Sequence, residues 1–438
     1  MSRNESGSSA DADRIAVIGA GVSGLIAARM LTNAGADVTV FESADRVGGR
    51  VSAMTTGLGS RIDLGGQWVG ADHHRLIALL DELDLTRLPV TRDVSRAIRS
   101  GRSRSLLRME NVPAFLTLGL FELFTRFGLP RRMSERTLDA AISKVPTASR
   151  RLLEVVAGIS WTSDLDRHTL GAAVRLSAAQ GGLSHSMRAR GGAQDSLILE
   201  GAGTIAELLA AELGDRVRLE QRVEGILRRP SGVTVETTEG EYEFDRVIVA
   251  VAPPVAREIQ HEPPLPSAHR RMEDGTYMGS VYKAFAIYPL PFWQERKAQD
   301  SLLLDRPGGA VFDTSPPTGQ GHLCFLIPGP EGRALADLDP TERQRLLLTP
   351  LVRTHGPGVL APAEWHEKFW HLDPHVKGGY STLPLPGTAM RLPLRRTPAG
   401  PVHWASTEYA RDHPGYIDGA IEAGETAARE VLRALRDA

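Results

Sequence analysis

Cysteine is almost missing: Cys324 is the only one in 438 residues, so no intramolecular disulfide can form and a thiolate-rich metal cluster is excluded. Net charge is nearly missing too, with 51 basic against 53 acidic side chains giving −2. Such a balance creates no whole-chain field that would draw the protein to nucleic acid or to an anionic membrane. No apolar run reaches bilayer length, since the longest, Val112–Leu129, is broken by Glu122 and Arg126, so no membrane span is expected. Met1 to Asp13 is polar and has neither the basic start nor the apolar stretch of a secretory signal. Residues 1–13 are expected to be a disordered tail on a cytoplasmic protein. Lysine is scarce as well: Lys144, Lys283, Lys297, Lys368 and Lys377 are the only five, a bias toward arginine that suits a GC-rich bacterial genome. A lysine set in apolar sequence therefore needs its own explanation.

What is present is the balance of a globular chain, 42% hydrophobic and 24% charged, at a length beyond one ordinary domain. Three blocks alternate strand and helix: Arg14–Glu42, Gly201–Ala252, and the C-terminal strand Val402–Ala405 with the helix Tyr416–Leu435. Between them, residues from about 81 to 199 read as largely helical, and those from about 263 to 395 mix apolar strands with prolines. This alternation predicts an α/β fold with an interrupted, Rossmann-like dinucleotide-binding domain (14–80, 200–262 and 396–438). The insertions 81–199 and 263–395 would form a second, α+β substrate-binding domain. Val112–Leu129 has the spacing of an amphipathic helix lying on the core or over a substrate channel. A membrane-surface helix is the lesser alternative, because Arg126, Arg131 and Arg132 lie at one end only.

The most informative stretch opens the first block. Ile15-Ala16-Val17-Ile18 reads as a buried parallel strand, followed by Gly19-Ala20-Gly21-Val22-Ser23-Gly24, a helical stretch, and a second strand, Asp37–Phe41, ending at Glu42. Gly19 permits a tight turn, Gly21 lets backbone approach a pyrophosphate, and Gly24 lets helix and strand pack closely. Ser23 lies inside that phosphate turn, without the spacing of a nucleophile elbow. The helix start offers unpaired N–H groups to phosphates, and Glu42 is placed to accept from a ribose diol. The fingerprint alone does not separate FAD from NAD. A single copy, together with Arg46-Val47-Gly48-Gly49-Arg50 and Asp63-Leu64-Gly65-Gly66-Gln67-Trp68, favours FAD.

Glu42 through Arg50, followed by Asp63 to Gly70, resembles the FAD-dependent amine oxidase superfamily of monoamine and polyamine oxidases. The resemblance returns at Gly201–Val251, at Gly279–Trp293 and from Trp370 to the C-terminus, whereas the helical insert, including 112–150, is not recognisable. It implies FAD held by Gly19, Gly21, Ser23, Gly24, Glu42, Gly49, Arg50, Gly65, Gly66, Gln67 and Trp68, with adenine against the backbone at Val223. It also implies that Glu408 bonds the ribityl hydroxyls and that the helix start near Tyr416 and Ile417 faces flavin N1 and O2.

On the reactive side, period two places Val281, Lys283, Phe285 and Ile287 on one strand face. An edge-strand lysine reaching solvent would be the ordinary explanation. The resemblance instead implies a buried lysine of lowered pKa holding a water at flavin N5. Trp370 precedes Lys377-Gly378-Gly379-Tyr380, where the family's Gly-Gly-Cys-Tyr joins flavin covalently. With Gly379 at the cysteine position, non-covalent FAD is expected. Tyr380 and Tyr416 would form the aromatic cage that orients an amine, alongside Trp370 and Lys283. The implied reaction is oxidation of an amine C–N bond to an imine, then a carbonyl compound, with dioxygen as acceptor giving hydrogen peroxide.

An L-amino-acid oxidase is the nearest alternative, though no arginine follows Gly66-Gln67-Trp68 until Arg75. A C=C-forming flavin dehydrogenase and a non-enzymatic FAD-binding scaffold fit Lys283 and the tyrosines less well. No metal site is expected, since His73-His74, His366 and His371 lack zinc-ligand spacing, and no nucleic-acid stripe is seen. The amine's identity and homodimerisation remain open.

Overall fold

The computed structural model describes residues 12–90, 96–99, 102–230, 232–295, 301–388 and 394–437. All but the last two residues of the expected tail lie outside them.

Five parallel strands form one sheet in the order Val402–Trp404, Arg246–Val249, Arg14–Ile18, Asp37–Phe41, Val217–Arg218. Segments separated by hundreds of residues meet here because all but the edge strand Val217–Arg218 supply a short, largely apolar and buried run. Ile15 to Ile18 is central and buried throughout. The helix Val22–Asn33 lies against the sheet and packs on both Gly203–Leu213 and Ile417–Arg436. Leu25, Leu31, Ile205, Leu209, Ile421 and Val431 close one core between them. A four-stranded sheet, Gly240–Phe244, Gly232–Thr237, Val223–Arg229 and Gln260–Glu262, flanks this unit.

The second large sheet has seven strands in the order Glu364–Phe369, Val281–Tyr288, Gly321–Pro328, Gly309–Asp313, Ser301–Leu304, Arg96–Arg99, Arg102–Ser105. All of its pairings are antiparallel except Ser301–Leu304 with Arg96–Arg99. The last two strands correct the expectation that 81–199 is largely helical. Their arginines, Arg96, Arg99, Arg102 and Arg104, hide any apolar alternation, and the pairing depends on a strand 200 residues away.

Val281–Tyr288 is an inner strand, not an edge, and all eight residues are buried. Tyr282, Ala284, Ala286 and Tyr288 pack on one side into a cluster with Trp293 and Phe325. Val281, Phe285 and Ile287 face the other side, with Val155, Val156 and Trp370. Lys283 therefore sits on the face turned toward the helices, including Thr147–Trp161 and, beyond it, Val112–Phe127.

Candidate active site

The strand Arg14–Ile18 ends in a turn that only glycine fits. Gly19 has φ +100°, and a Cβ on Gly24 would lie 2.0 Å from the Gly19 carbonyl oxygen. Glu42 ties this turn to the next one, its Oε2 accepting from Ala20 N–H at 2.8 Å and its Oε1 from Ala44 N–H at 2.9 Å. Gly21 opens on space, with nothing within 4 Å of an added Cβ. It is also the uncapped start of the Val22–Asn33 helix, so free N–H groups point into that space. Ser23 Oγ, Gln67 Nε2 and Gln221 Oε1 are buried without partners, and all three residues line the same cavity. Orphaned buried polar atoms beside an uncapped helix start fit a polar, phosphate-bearing cofactor.

Arg50 crosses this space. Its guanidinium grips Glu408 through two bonds, Nη1 to Oε1 at 2.6 Å and Nη2 to Oε2 at 3.1 Å, and Nη1 also donates to the Tyr380 carbonyl at 3.0 Å. Glu408 accepts further bonds from Thr382 N–H at 3.0 Å and from Ser406 Oγ. Burial pushes its carboxyl up, but Arg50, joined by the Ser406 and Thr382 bonds, more than offsets this and holds it down at about 2. Glu408 is not among the residues lining the cavity, and protein donors from the Thr382 and Ser406 side take up its carboxylate together with Arg50.

Lys283 reaches from its strand to the Gly65 carbonyl at 2.8 Å and to Gln67 Oε1. Burial lowers its pKa, against the attraction of Asp63. Asp63 accepts from Ala202 and Gly203 N–H at the start of the Gly203–Leu213 helix. Burial raises its pKa to about 6, with Lys283 opposing. Asp63 is thus a hidden charge partner that the sequence left unassigned. The other is Thr162, left-handed at φ 54°, which accepts from Tyr380 N–H at 3.1 Å and donates to the Gly379 carbonyl. Nothing in the sequence around Thr162 marks it, because its partners lie 217 and 218 residues away.

A cavity of about 420 Å³ joins these parts. Gly19, Gly21, Ser23, Glu42, Gly49, Arg50, Gly65, Gly66, Gln67, Trp68 and Val223 line it, as do Lys283, Trp370, Tyr380, Tyr416 and Ile417. Of the residues singled out from sequence only Gly24, a packing glycine, and Glu408 do not. Val223 begins the strand Val223–Arg229. Trp370 is fixed by its Nε1–H donating to the Leu64 carbonyl at 2.8 Å. Burial raises the phenol pKa of both Tyr380 and Tyr416, so both stay neutral.

The profile of the flavin-containing amine oxidoreductases matches residues 22–432. The chain belongs to that family. A Mycobacterium tuberculosis chain assigned as flavin-containing monoamine oxidase AofH is 33% identical over 96% of this chain and 97% of its own. The pig flavin-containing amine oxidase B is 30% identical over 96% and 86%. Cyclohexylamine oxidase from Brevibacterium oxydans superposes with a TM-score of 0.90 at 29% identity, covering 97% of this chain and all of that one.

As a flavin-containing amine oxidoreductase the protein is an enzyme that uses FAD, and the mixed α/β architecture is that of its relatives. The chain's single thiol, Cys324, has its Sγ 3.7 Å from Gln67 Oε1, off the cavity wall. Burial pushes its thiol up to about 11, so it is not a thiolate nucleophile. With glycine at 379, acid precipitation should leave all the flavin in the supernatant. Flavin retained in the washed pellet would contradict this.

Behind Tyr416, the His73 ring meets it edge-on at 5.0 Å. Asp72, His73 and His413 are the one group among the described residues close enough to hold a metal ion. Gly70 N–H donates to His73 Nδ1 at 2.9 Å, however, so the neutral ring carries its proton on Nε2. Burial, helped by His413, lowers the His73 pKa to about 3 and keeps it neutral. The ring is set up to donate a hydrogen bond and not to ligate a metal.

Proposed function

We propose that the enzyme oxidises a monoamine with an apolar body, taken up as the neutral amine between Tyr380 and Tyr416, with dioxygen as the electron acceptor and hydrogen peroxide as a product. Bound FAD supplies the acceptor for the hydride equivalent leaving the α-carbon. The protein's share is orientation and charge. The neutral phenols give the amine nitrogen two ring faces and no competing anion. Lys283 contributes a buried ammonium with two of its donors committed, leaving one for a water or developing charge at the flavin end. Tyr416 caps the Ile417–Arg436 helix without a side-chain bond, so that helix's first N–H groups are free to stabilise negative charge. The resulting imine is hydrolysed by water to a carbonyl compound and ammonia or a smaller amine.

The observation that carries this proposal is the charge map of the cavity wall. Every arginine on it is committed: Arg46 to backbone carbonyls, Arg50 to Glu408, Arg222 to Glu258. No guanidinium is left to clamp an α-carboxylate, which disfavours an amino-acid oxidase. The wall's carboxylates, Glu42, Asp45, Glu258 and Asp373, belong to the segments beside the dinucleotide turns, not to the apolar end. That end is built from Trp68, Ile159, Met187, Phe312 and Leu326, with no anion to receive a second ammonium.

Anaerobic addition of a panel to the yellow enzyme tests this proposal. Benzylic and alicyclic monoamines should bleach the flavin at least ~10-fold faster than diamines of similar length, since an unpaired buried ammonium costs several kcal/mol. Equal or faster bleaching by diamines or amino acids would overturn it. In the putrescine oxidase that superposes at a TM-score of 0.87 (27% identity over 96% of this chain and 99% of that one), the bound molecule is putrescine. That diamine belongs in the panel.

A further inference from the structure

The Val112–Phe127 helix is inside out. At about 100° per residue, its exposed positions Val112, Phe115, Leu116, Gly119, Leu120, Leu123, Arg126 and Phe127 fall on one arc, and Arg126 is the sole polar member. Leu116 is 70% exposed and Phe127 82%, and the approach to the helix adds Leu107 at 84% and Met109 at 86%. The opposite side already has its core: Ala114 and Phe121 are buried, and Phe121 meets Trp161 at 5.4 Å between ring centres. A surface helix of a water-bathed protein shows polar residues outward, so an apolar strip about 24 Å long facing solvent marks a docking face.

We propose that this face docks on an anionic phospholipid surface. Its far end is basic: Arg126, Arg131, Arg132 and Arg136 are exposed there. The acids nearby are fewer. Glu110 pairs with Arg108 at 3.3 Å, Glu122 is turned inward to Ser184 N–H, 4.0 Å from Arg126, and Glu135 is exposed. This local excess of positive charge stands out on a chain whose total is −2. The basic residues sit at one end only, but the apolar side turns to solvent and not to the core.

Charge also selects between occupants. A second copy docking by a two-fold axis with the helices parallel would lay one basic end on another, setting arginine against arginine. Lipid phosphates meet the basic end while the leucines and phenylalanines enter the acyl boundary. Among the described residues no helix is long and apolar enough to cross a membrane, so the attachment is peripheral. The docked face would also stand one helix from Ile159, Ser160 and Trp161 of the cavity wall. None of this depends on the amine assigned above.

Sedimentation of the full-length, FAD-loaded enzyme with vesicles tests the proposal. Vesicles containing phosphatidylglycerol should pellet it at low salt, and pure phosphatidylcholine should bind at least tenfold more weakly. The variant Leu116→Asp/Leu120→Asp/Leu123→Asp should lose at least tenfold in binding while keeping its flavin spectrum and amine turnover in solution. Arg131→Glu/Arg132→Glu should lose about fivefold per arginine, the equivalent of ~1 kcal/mol each. Wild-type protein that stays in the supernatant with anionic vesicles overturns the proposal, as does a triple-Asp variant that binds like wild type. A dimer that the triple-Asp change splits into monomers, without vesicle binding by either form, would assign the face to a second copy instead.

Discussion

Arg50→Ala should yield a protein that is colourless as purified and about 3–5 kcal/mol less stable at neutral pH, the usual cost of stranding one partner of a buried ion pair. Glu408 has no exposed side-chain surface, and Arg50 supplies both of the charged bonds that keep it ionised. The same guanidinium holds the Tyr380 carbonyl, so the loss reaches the cavity wall as well. The pH dependence identifies the cause. With the Glu408 folded pKa at about 2, below the ordinary 4.5, the pair's contribution is present above about pH 4.5 and is lost as pH falls toward 2. Without Arg50, burial is opposed only by the Ser406 and Thr382 bonds and raises the Glu408 pKa above its ordinary value. The sign then reverses, and the variant loses stability as pH rises through and above 4.5. Thermal unfolding of both proteins from pH 4 to 8, with flavin content read at each point, should therefore show the gap widening with pH. A gap that is constant with pH would mean that Glu408 is not the group left stranded. Arg50→Lys should recover part of the stability but not the two-pronged grip, which a point charge cannot reproduce.

Glu408 also shows where reading from sequence stops. The glycine turn at 19–24 is legible because its constraint is local: a positive φ and a 2.0 Å approach leave no room for a side chain whatever the rest of the fold does. The parallel strands are legible for a similar reason, since burial on both faces writes an unbroken apolar run. Lys283 stands out because an ammonium at a period-two core position is costly. Motif spacing brings Glu408 to the right neighbourhood but cannot say which way a three-residue turn will aim its carboxylate. Thr162, Asp63 and the strand Arg96–Arg99 depend on partners between 139 and 218 residues distant, and no local pattern encodes them. The outward face of Val112–Phe127 misleads for another reason. Helical periodicity reports that one side is apolar, not whether that side meets the core or the solvent.

Replacing Lys283 by Met should separate the two halves of the catalytic cycle. Anaerobic reduction by a good amine should stay within a few-fold of wild type, because the cage tyrosines and the apolar wall are untouched. Reaction of the reduced enzyme with dioxygen should slow by about 100-fold, the scale on which a single preorganised donor acts on developing negative charge. Lys283 is the one lysine on the cavity wall with no carboxylate bonded to it: its partners are the Gly65 carbonyl and the Gln67 amide, whereas Lys368 pairs with Asp373. Its charge is therefore unspent, and Asp63 supports it only at longer range. That support gives a second, independent readout. Asp63 is pushed up to about 6 by burial even with Lys283 pulling it down. An acid whose folded pKa lies above its ordinary 3.8 costs stability as pH rises from there through the folded value. In Lys283→Met the folded value moves higher, so the loss should continue beyond pH 6, where the wild-type curve has levelled off. If the pH-stability curve shifts in this way while the oxygen reaction is unchanged, the lysine is a structural counter-charge for Asp63 and the proposed role at the flavin is wrong. If both move together, a single ammonium holds the buried acid in place and serves the open side of the cavity.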